Sequence, residues 1–336
     1  MSNTIDTFED FKLNKQILNA IEEEGYQHPT EIQRKAIPLI NAGHDLIGIA
    51  QTGTGKTAAF VLPILMKVKY RQENGPRAVI LTPTRELAMQ IRDHIAKFCT
   101  YLDIKYAAIY GGSGTKMQKE SLEGGVDLLV ATPGRFMDFY RDRIFPTKYI
   151  KTLVLDEADK MMDMGFMPQL RNFLEIIPVK RQNLLFSATM PEKVEELVHE
   201  FLEFPKRVEI TPDHTVAETV DHFLYEVPNL KTKINLLTHL LAEYREKGQF
   251  EKAIIFTRTK ANADNVYKYI IRKVTKEAKV IHGNKDQNSR INAIGEFSSG
   301  TVNILVATDV VARGIDITGV THVFNFDVPI IYEDYV

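Results

Sequence analysis

The sequence predicts an α/β protein with two doubly wound parallel sheets, one in each half of the chain. Its 336 residues fit two domains of ordinary size. Short β-branched runs alternate with stretches of helical spacing, a pattern typical of parallel sheets covered by helices on both faces. The alternation stops at a polar segment, Thr211–Val220, and then begins again. We therefore expect domains at 1–210 and 221–336, joined by a linker at 211–220.

The first half contains six predicted strands. A run that is apolar throughout, such as TLVL at 152–155, fits a strand buried on both faces of a parallel sheet. Between strands, apolar residues at 194–202 recur with helical spacing, and Pro191 fits the first turn of that helix. The predicted strands are Asp45–Ile49, Ala78–Leu81, Tyr106–Tyr110, Asp127–Ala131, Thr152–Leu155 and Asn183–Phe186.

The second half repeats the pattern with five predicted strands, which indicates a second sheet of the same kind. They are His222–Val227, Lys252–Thr257, Lys279–His282, Asn303–Thr308 and His322–Phe326.

Composition narrows the possible functions. Lys and Arg total 42 against 44 for Asp and Glu, so the chain has no excess of positive charge that could hold a nucleic acid. Any nucleic-acid partner would have to be held by a local groove. One cysteine excludes a disulfide framework, and the nine histidines lack the spacing of a zinc site. No apolar run approaches the roughly 20 residues of a membrane span, and the acidic N-terminal stretch lacks the apolar core of a signal peptide. We expect a cytoplasmic protein.

A glycine-rich loop follows the first predicted strand and precedes a helical segment. Such a loop wraps phosphates with its backbone N–H groups. Lys56 would reach the terminal phosphates, and the Thr57 hydroxyl would hold Mg²⁺. Ala50 stands where the strict pattern has glycine, so a simple Gly/Thr-rich turn is the alternative. The predicted loop comprises Gln51, Thr52, Gly53, Thr54, Gly55, Lys56 and Thr57.

An acidic segment follows the apolar strand at 152–155. Asp156 would lie at the carboxyl edge of the sheet, where α/β proteins bind ligands, and could ligate Mg²⁺ through water. Glu157 would orient and deprotonate the attacking water. The alternative is an acidic helix N-terminus that only answers the helix dipole.

These segments and their neighbours resemble, in order, the motifs of DEAD-box RNA helicases of superfamily 2. The resemblance runs from Phe8 to Val336 and includes GYQHPTEIQ, AQTGTGKT, PTRELA, GG, TPGR, DEAD, SAT, IIFTRTK and ATDVVARGID. Ala50 in the phosphate loop is typical of that family. The resemblance implies two RecA-like domains, ATP and Mg²⁺ as cofactors, RNA as partner, and ATP hydrolysis coupled to local duplex unwinding. DKMMDMGF after the DEAD segment resembles the bacterial RhlE-type branch.

The resemblance implies a role in adenine recognition for three residues near the N-terminus. Gln33 carries a primary amide, which suits the donor and acceptor edge of adenine. Tyr26 offers a ring that can stack on the base, and Phe8 is the isolated aromatic residue upstream. Taken without the family, Gln33 and Tyr26 fit ordinary surface and core positions.

The resemblance also implies roles for five residues around the γ-phosphate and the ribose of ATP. The hydroxyls of Ser187 and Thr189 would bond Asp159 and link the ATP site to the RNA face. Arg313 would place a cation near the γ-phosphate, and Asp316 would bond the ATP ribose. A Ser/Thr pair at a strand end is otherwise a common helix cap.

Further segments resemble the family's RNA contacts, which would go to phosphate and sugar and so be independent of sequence, with the 2′-hydroxyl separating RNA from DNA. Each segment alone is also an ordinary loop. In the first domain they are Pro83, Thr84, Arg85, Gly111, Gly112, Thr132, Pro133, Gly134 and Arg135; in the second they are Thr257, Arg258, Thr259, Gln287, Arg290 and Thr308.

The chain departs from the family pattern at its end, because it stops at Val336 before the HRxGRxGR stretch that supplies arginine fingers. From this we expect a truncated chain, an incomplete second domain and reduced activity. The leading hypothesis is an ATP-dependent RNA helicase that acts as a monomer. The alternatives are an ATP-gated RNA clamp without efficient turnover and a DNA-directed ATPase of the same superfamily.

Overall fold

The computed structural model describes residues 5–68, 75–112, 114–210, 220–308 and 319–329. The chain divides into two compact units, Met1–Pro212 and Asp213–Val336. No helix in these described ranges is long and apolar enough to cross a membrane.

The first unit contains a seven-stranded sheet whose neighbouring strands are all parallel. Its strand order is β3-β4-β2-β5-β6-β1-β7. Alternate residues face opposite sides: Ile80 of β2 packs in one hydrophobic cluster, and Val79 and Leu81 pack in the other. The strands are β1 Leu46–Ile49, β2 Ala78–Leu81, β3 Tyr106–Ile109, β4 Leu128–Ala131, β5 Thr152–Leu155, β6 Gln182–Ser187 and β7 Lys206–Glu209.

Helices cover this sheet and supply the other half of each hydrophobic cluster. Following a short 3₁₀ helix at Phe8–Phe11, they are α1 Lys15–Glu23, α2 Glu31–Asn41, α3 Lys56–Val68, α4 Arg85–Phe98, α5 Thr115–Leu122, α6 Pro133–Arg141, α7 Ala158–Asp163, α8 Met167–Ile176 and α9 Glu192–Phe201.

The second unit contains a four-stranded parallel sheet of order β11-β8-β10-β9 among its described residues. Val306 of β10 packs on one side of this sheet and Leu305 on the other. Its elements are α10 Leu230–Glu246, β8 Ala253–Thr257, α11 Lys260–Lys273, β9 Ala278–Ile281, α12 Gln287–Ser298, β10 Ile304–Thr308 and β11 His322–Asn325.

One strand prediction is wrong, and one strand was not predicted. The segment predicted at His222–Val227 forms no strand in the structure, and Phe223 and Leu224 are exposed. Alternating apolar residues suggested a strand, but a strand needs backbone partners on a neighbour, and this segment pairs with none among the described residues. Strand β7 was not predicted, because its sequence KRVE is charged and buries only Val208 at the edge of the sheet.

Smaller differences concern boundaries. Pro191 is the N-cap of α9 and not part of its first turn. The linker predicted at 211–220 lies outside the described residues except for Val220. Since all neighbouring strands are parallel, the loops after β1, β5 and β6 meet at one edge of the first sheet. The predicted phosphate loop, Asp156, Glu157 and the segment Ser187–Thr189 lie there.

Candidate functional site

The phosphate loop connects β1 to α3. Gly53 and Gly55 have φ of +82° and +92°, a left-handed backbone that favours glycine. Gly55 also has no room for a side chain, since a Cβ there would lie 2.5 Å from Gln33 Nε2. Gln51, Thr52 and Gly53 are exposed, so the N–H groups before α3 can meet an anion from solvent.

Lys56 and Thr57 begin α3. The Lys56 ammonium is buried, donates to the Ala50 carbonyl at 2.7 Å, and lies 3.7 Å from Glu157 Oε1. The loop is held against β6 by a hydrogen bond from Ala50 N–H to the Ser187 carbonyl at 3.1 Å. Among the described residues, the buried Lys56 ammonium has only one carbonyl acceptor and one nearby carboxylate. It can therefore exchange the carbonyl for a phosphate oxygen, which forms a stronger, charge-assisted hydrogen bond.

Asp156 leaves β5 as a buried carboxylate. Its Oδ1 accepts no hydrogen bond from the described residues. Burial raises the pKa of Asp156 to about 7, the adjacent Glu157 charge adds to the increase, and the ammonium groups of Lys56 and Lys160 oppose it. A bound cation would stabilise the ionised form of this carboxylate through the oxygen that accepts no hydrogen bond.

The residues fit Mg²⁺ rather than a metal held wholly by protein. In the part of the chain that the structure describes, no group of three His, Cys, Asp or Glu side chains could hold a metal. Mg²⁺ commonly takes one or two protein oxygens and completes its shell with water and phosphate. The unbonded Asp156 oxygen and the half-buried Thr57 match that demand.

Glu157 is the N-cap of α7 and has a left-handed backbone with φ of +57°. For a glutamate this conformation is strained and marks positions where function dictates geometry. Its carboxylate is buried between two ammonium groups, since Oε2 lies 2.8 Å from Lys160 Nζ and Oε1 faces Lys56.

Asp159 holds the segment after β6. Its Oδ2 accepts hydrogen bonds from Ala188 N–H at 3.1 Å, Thr189 N–H at 2.9 Å and the Thr189 hydroxyl at 3.0 Å. Its own N–H donates to Ser187 Oγ at 3.2 Å. Both hydroxyls that the family resemblance pairs with Asp159 therefore contact it, one as donor and one as acceptor.

Gln33 is buried against the phosphate loop. Its Oε1 accepts from Thr30 N–H at 3.0 Å, and its Nε2 donates to the Gly55 carbonyl at 3.1 Å. A primary amide has a second N–H and a second lone pair, so one donor and one acceptor site remain for a base edge. The predicted base-reading residue is thus also a brace for the loop.

Tyr26, seven positions before Gln33, belongs to an aromatic cluster with Phe8 and Phe98. Its ring meets Phe8 edge-on at 6.3 Å between centroids and Phe98 at 5.6 Å. Phe8 is buried, whereas about a third of Tyr26 is exposed (36%), so only Tyr26 of this pair presents ring area to a base. Arg313 and Asp316 lie outside the described residues.

The three predicted RNA segments of the first unit follow β2, β3 and β4, neighbours in the sheet. Thr84 caps α4 by accepting from Leu87 N–H at 3.3 Å. Gly111 N–H donates to Thr132 Oγ1 at 3.3 Å, which joins the second segment to the third. Gly112 has φ of +74° and lies directly against the Arg85 guanidinium.

The third segment begins α6. Pro133 occupies the first turn, and Gly134 leaves open space where a side chain would stand. Arg135 is buried and stacks over the Phe139 ring at 5.4 Å. The sequence predicted an arginine contact here, and the structure turns most of that side chain inward.

In the second unit four of the predicted RNA residues lie at the ends of β8 and β10 or just after β8, and two lie on α12. Thr259 caps α11, and Thr257 and Thr308 are buried at the ends of their strands. Arg258 donates its N–H to Asp327 Oδ2 at 3.0 Å and its guanidinium to the Val328 carbonyl at 3.1 Å. Gln287 is the first residue of α12, and Arg290 lies one turn further along the same helix.

Asp327 is a residue that sequence reasoning missed. Burial raises the pKa of Asp327, but hydrogen bonds from Arg258 N–H, the Lys233 ammonium and the Asn262 amide outweigh it, so the pKa lies below its ordinary value. No local pattern marks this aspartate, since its partners are 65 to 94 positions away.

Lys160 and Gln118 were also missed. Lys160 follows the DEAD segment, and its spacing of three from Glu157 was a usable signal for an ion pair on α7. Gln118 brackets Tyr110, accepting from its N–H at 2.9 Å and donating to its carbonyl at 3.1 Å. It thereby supports the backbone just before Gly111.

Comparison with protein families matches both units. A model described as DEAD/DEAH box helicase matches residues 30–197, and one described as helicase conserved C-terminal domain matches residues 232–336. Among curated relatives, the DEAD-box ATP-dependent RNA helicase CshA of Streptococcus pneumoniae is 40% identical over 330 residues, covering 98% of this chain and 62% of that protein. RhpA of Helicobacter pylori, also named a DEAD-box ATP-dependent RNA helicase, is 39% identical and covers 98% and 65%.

Solved structures agree on the fold. Saccharomyces cerevisiae Dbp5 bound to RNA and ADP BeF3 matches with a TM-score of 0.86 and 29% identity, covering 97% of this chain and 82% of that one. A single-residue variant of Dbp5 with the same ligands matches with 30% identity, the same TM-score and the same coverage. The predicted pair of RecA-like parallel-sheet units is confirmed. The chain spans less than two thirds of the length of the curated relatives it matches.

Proposed function

This chain belongs to the DEAD/DEAH box helicase family, and we propose that it is an ATP-dependent RNA helicase. In this proposal ATP hydrolysis is coupled to binding of the RNA backbone and to local separation of a short duplex. The names of the relatives CshA and RhpA support the activity, and the RNA and nucleotide bound to Dbp5 support the ligands.

One observation carries the proposal: the buried Lys56 ammonium lies 3.7 Å from Glu157 Oε1, beside an Asp156 oxygen that accepts no hydrogen bond in the described chain. A cation for phosphate, a carboxylate for Mg²⁺ and a carboxylate for water thus converge at one sheet edge. These are the parts that phosphoryl transfer to water requires.

The residues divide the work as follows. N–H groups of the loop after β1 and the Lys56 ammonium bind the phosphates, and Lys56 exchanges the Ala50 carbonyl for phosphate oxygens. Glu157 orients the attacking water and accepts its proton. Asp156 and Thr57 would hold Mg²⁺, which when bound would supply charge neutralisation at the phosphates.

Asp159 links this site to the segment that follows β6. Its carboxylate accepts from the backbone and hydroxyl of Thr189, so a shift at the DEAD segment moves the Ala188–Thr189 backbone with it. RNA contacts go to the phosphate and sugar groups through the loops after β2, β3 and β4, which makes binding independent of sequence.

Finer assignments belong to the same proposal. The domain limits 1–210 and 221–336 with a linker at 211–220 are supported by the division of the chain at Pro212. The segment DKMMDMGF supports the RhlE-type branch. Mg²⁺ as cofactor, a cytoplasmic location and a monomer complete the proposal.

The test is the steady-state ATPase rate with and without single-stranded RNA, compared for the wild-type chain and Glu157→Gln. We expect RNA to stimulate the wild-type rate and Glu157→Gln to bind ATP while losing turnover, because the amide keeps the size but cannot accept the proton. Glu175→Gln, at an exposed position on α8, is the matched control and should retain activity. ATP-dependent RNA binding without hydrolysis would favour the clamp, and stimulation by DNA would favour the DNA-directed ATPase.

A further inference from the structure

The residue that follows the DEAD segment lies against the carboxylate assigned to the attacking water. We propose that Lys160 is a positioning residue, which anchors Oε2 of Glu157 so that Oε1 faces the phosphate loop. This inference rests on the proposed function, because Glu157 must act on water for its orientation to matter.

The geometry divides the two oxygens of Glu157 between two cations. Oε2 lies 2.8 Å from Lys160 Nζ, and Oε1 lies 3.7 Å from Lys56 Nζ. Among the described residues no group donates a hydrogen bond to Oε2. Its contact with Lys160 is an ion pair. The side chains of Glu157 and Lys160 are 4% and 16% exposed, so solvent screens this pair weakly.

Nucleotide binding would affect the two lysines that contact Glu157 differently. Lys56 belongs to the phosphate loop and must transfer to the phosphates, which weakens its hold on Glu157. Lys160 lies on α7, outside the phosphate loop, and would remain as the partner of Oε2. The carboxylate would then keep its second oxygen directed at the water position.

The backbone of Lys160 is itself held in place. Its N–H donates to Asp159 Oδ1 at 2.9 Å, while Asp159 Oδ2 binds the Ala188–Thr189 segment. Glu157 as N-cap and Lys160 three positions later lie on the same face of α7. The Lys160 side chain therefore extends from a backbone that is fixed by hydrogen bonds, so its ammonium can hold Oε2 in one orientation.

The experiment compares Lys160→Met and Lys160→Arg with the wild-type chain in RNA-stimulated ATPase assays over a range of ATP concentrations. Lys160→Met removes the charge at similar length, and Lys160→Arg keeps it. Lys97→Met is the matched control, since Lys97 forms an ion pair with Glu24 that is largely exposed and lies on α4. Lys160→Gln replaces Lys160→Met if that variant fails to fold.

We expect Lys160→Met to lower kcat by about fivefold or more with KM for ATP changed less than about twofold, since misorientation of the base affects the chemical step and not nucleotide binding. Lys160→Arg should recover most of the loss, and Lys97→Met should match the wild type.

Two results would overturn the proposal and leave the proposed function standing. One is a kcat for Lys160→Met within about twofold of an active wild-type chain; the other is a loss that appears in KM alone. A wild-type chain without RNA-stimulated ATPase would overturn the proposed function, and this proposal with it.

Discussion

Gly112→Ala should weaken RNA binding by displacing an arginine rather than by unfolding the protein. A Cβ at position 112 would lie 1.5 Å from Arg85 Nη2 and 2.0 Å from its Cζ. Ordinary contact needs roughly 3.5 Å, so the guanidinium must move by about 2 Å. Because the guanidinium is the far end of a flexible side chain, we expect it to shift before the backbone does.

The magnitude follows from two terms. The left-handed backbone at Gly112, with φ of +74°, costs an alanine about 1–2 kcal/mol of stability. A charge-assisted hydrogen bond to a phosphate is worth about 1.5–3 kcal/mol, so losing the proposed Arg85 contact should weaken RNA binding by about tenfold or more.

Fluorescence anisotropy with labelled single-stranded RNA and a non-hydrolysable ATP analogue measures this effect. Gly114→Ala is the matched control, because its Cβ would have nothing within 4 Å, its φ is not left-handed, and it is not among the predicted RNA contacts. Equal losses for both variants, or unchanged affinity for Gly112→Ala, would refute the proposal that Gly112 positions Arg85 for RNA.

Two further predictions concern aspartates that hold each unit together. Asp159→Asn should lower the free energy of unfolding by about 1–3 kcal/mol, because an amide cannot accept from every donor that its carboxylate now faces; thermal denaturation with the exposed Asp142→Asn as control checks this. Asp327→Asn should destabilise the second unit at pH 7 by a similar amount. Burial raises the pKa of Asp327, but the hydrogen bond from Arg258 N–H and two side-chain donors hold it below the ordinary value. The stability difference between wild type and Asp327→Asn should therefore persist as pH falls to the ordinary aspartate pKa, and vanish as pH falls through the lowered pKa of Asp327. Urea midpoints across that pH range test this, and a stability difference independent of pH would contradict it.

Local patterns were sufficient for most of the fold. Strands β2 and β5 match their predicted limits, and eight others were predicted within one or two residues, because buried parallel strands are apolar throughout. The phosphate loop and the carboxylates after β5 were likewise readable, since each depends on residues close together in sequence. The parallel order of the sheet then brings their separate segments to one edge.

The failures arise where a distant partner decides the outcome. The segment 222–227 has a strand-like sequence but no neighbouring strand among the described residues, and β7 has a charged sequence but pairs with the buried β1.

The sequence by itself determined the fold class, the order of the motifs and the chemical groups available at the site. Only the tertiary structure decided how those groups are shared: Gln33 between Thr30 and the phosphate loop, Arg85 against Gly112, and Glu157 between two lysines. The physical reason is range. Propensity and periodicity act over a few residues, whereas the hydrogen bonds and ion pairs that orient a side chain depend on which strand ends the sheet places side by side.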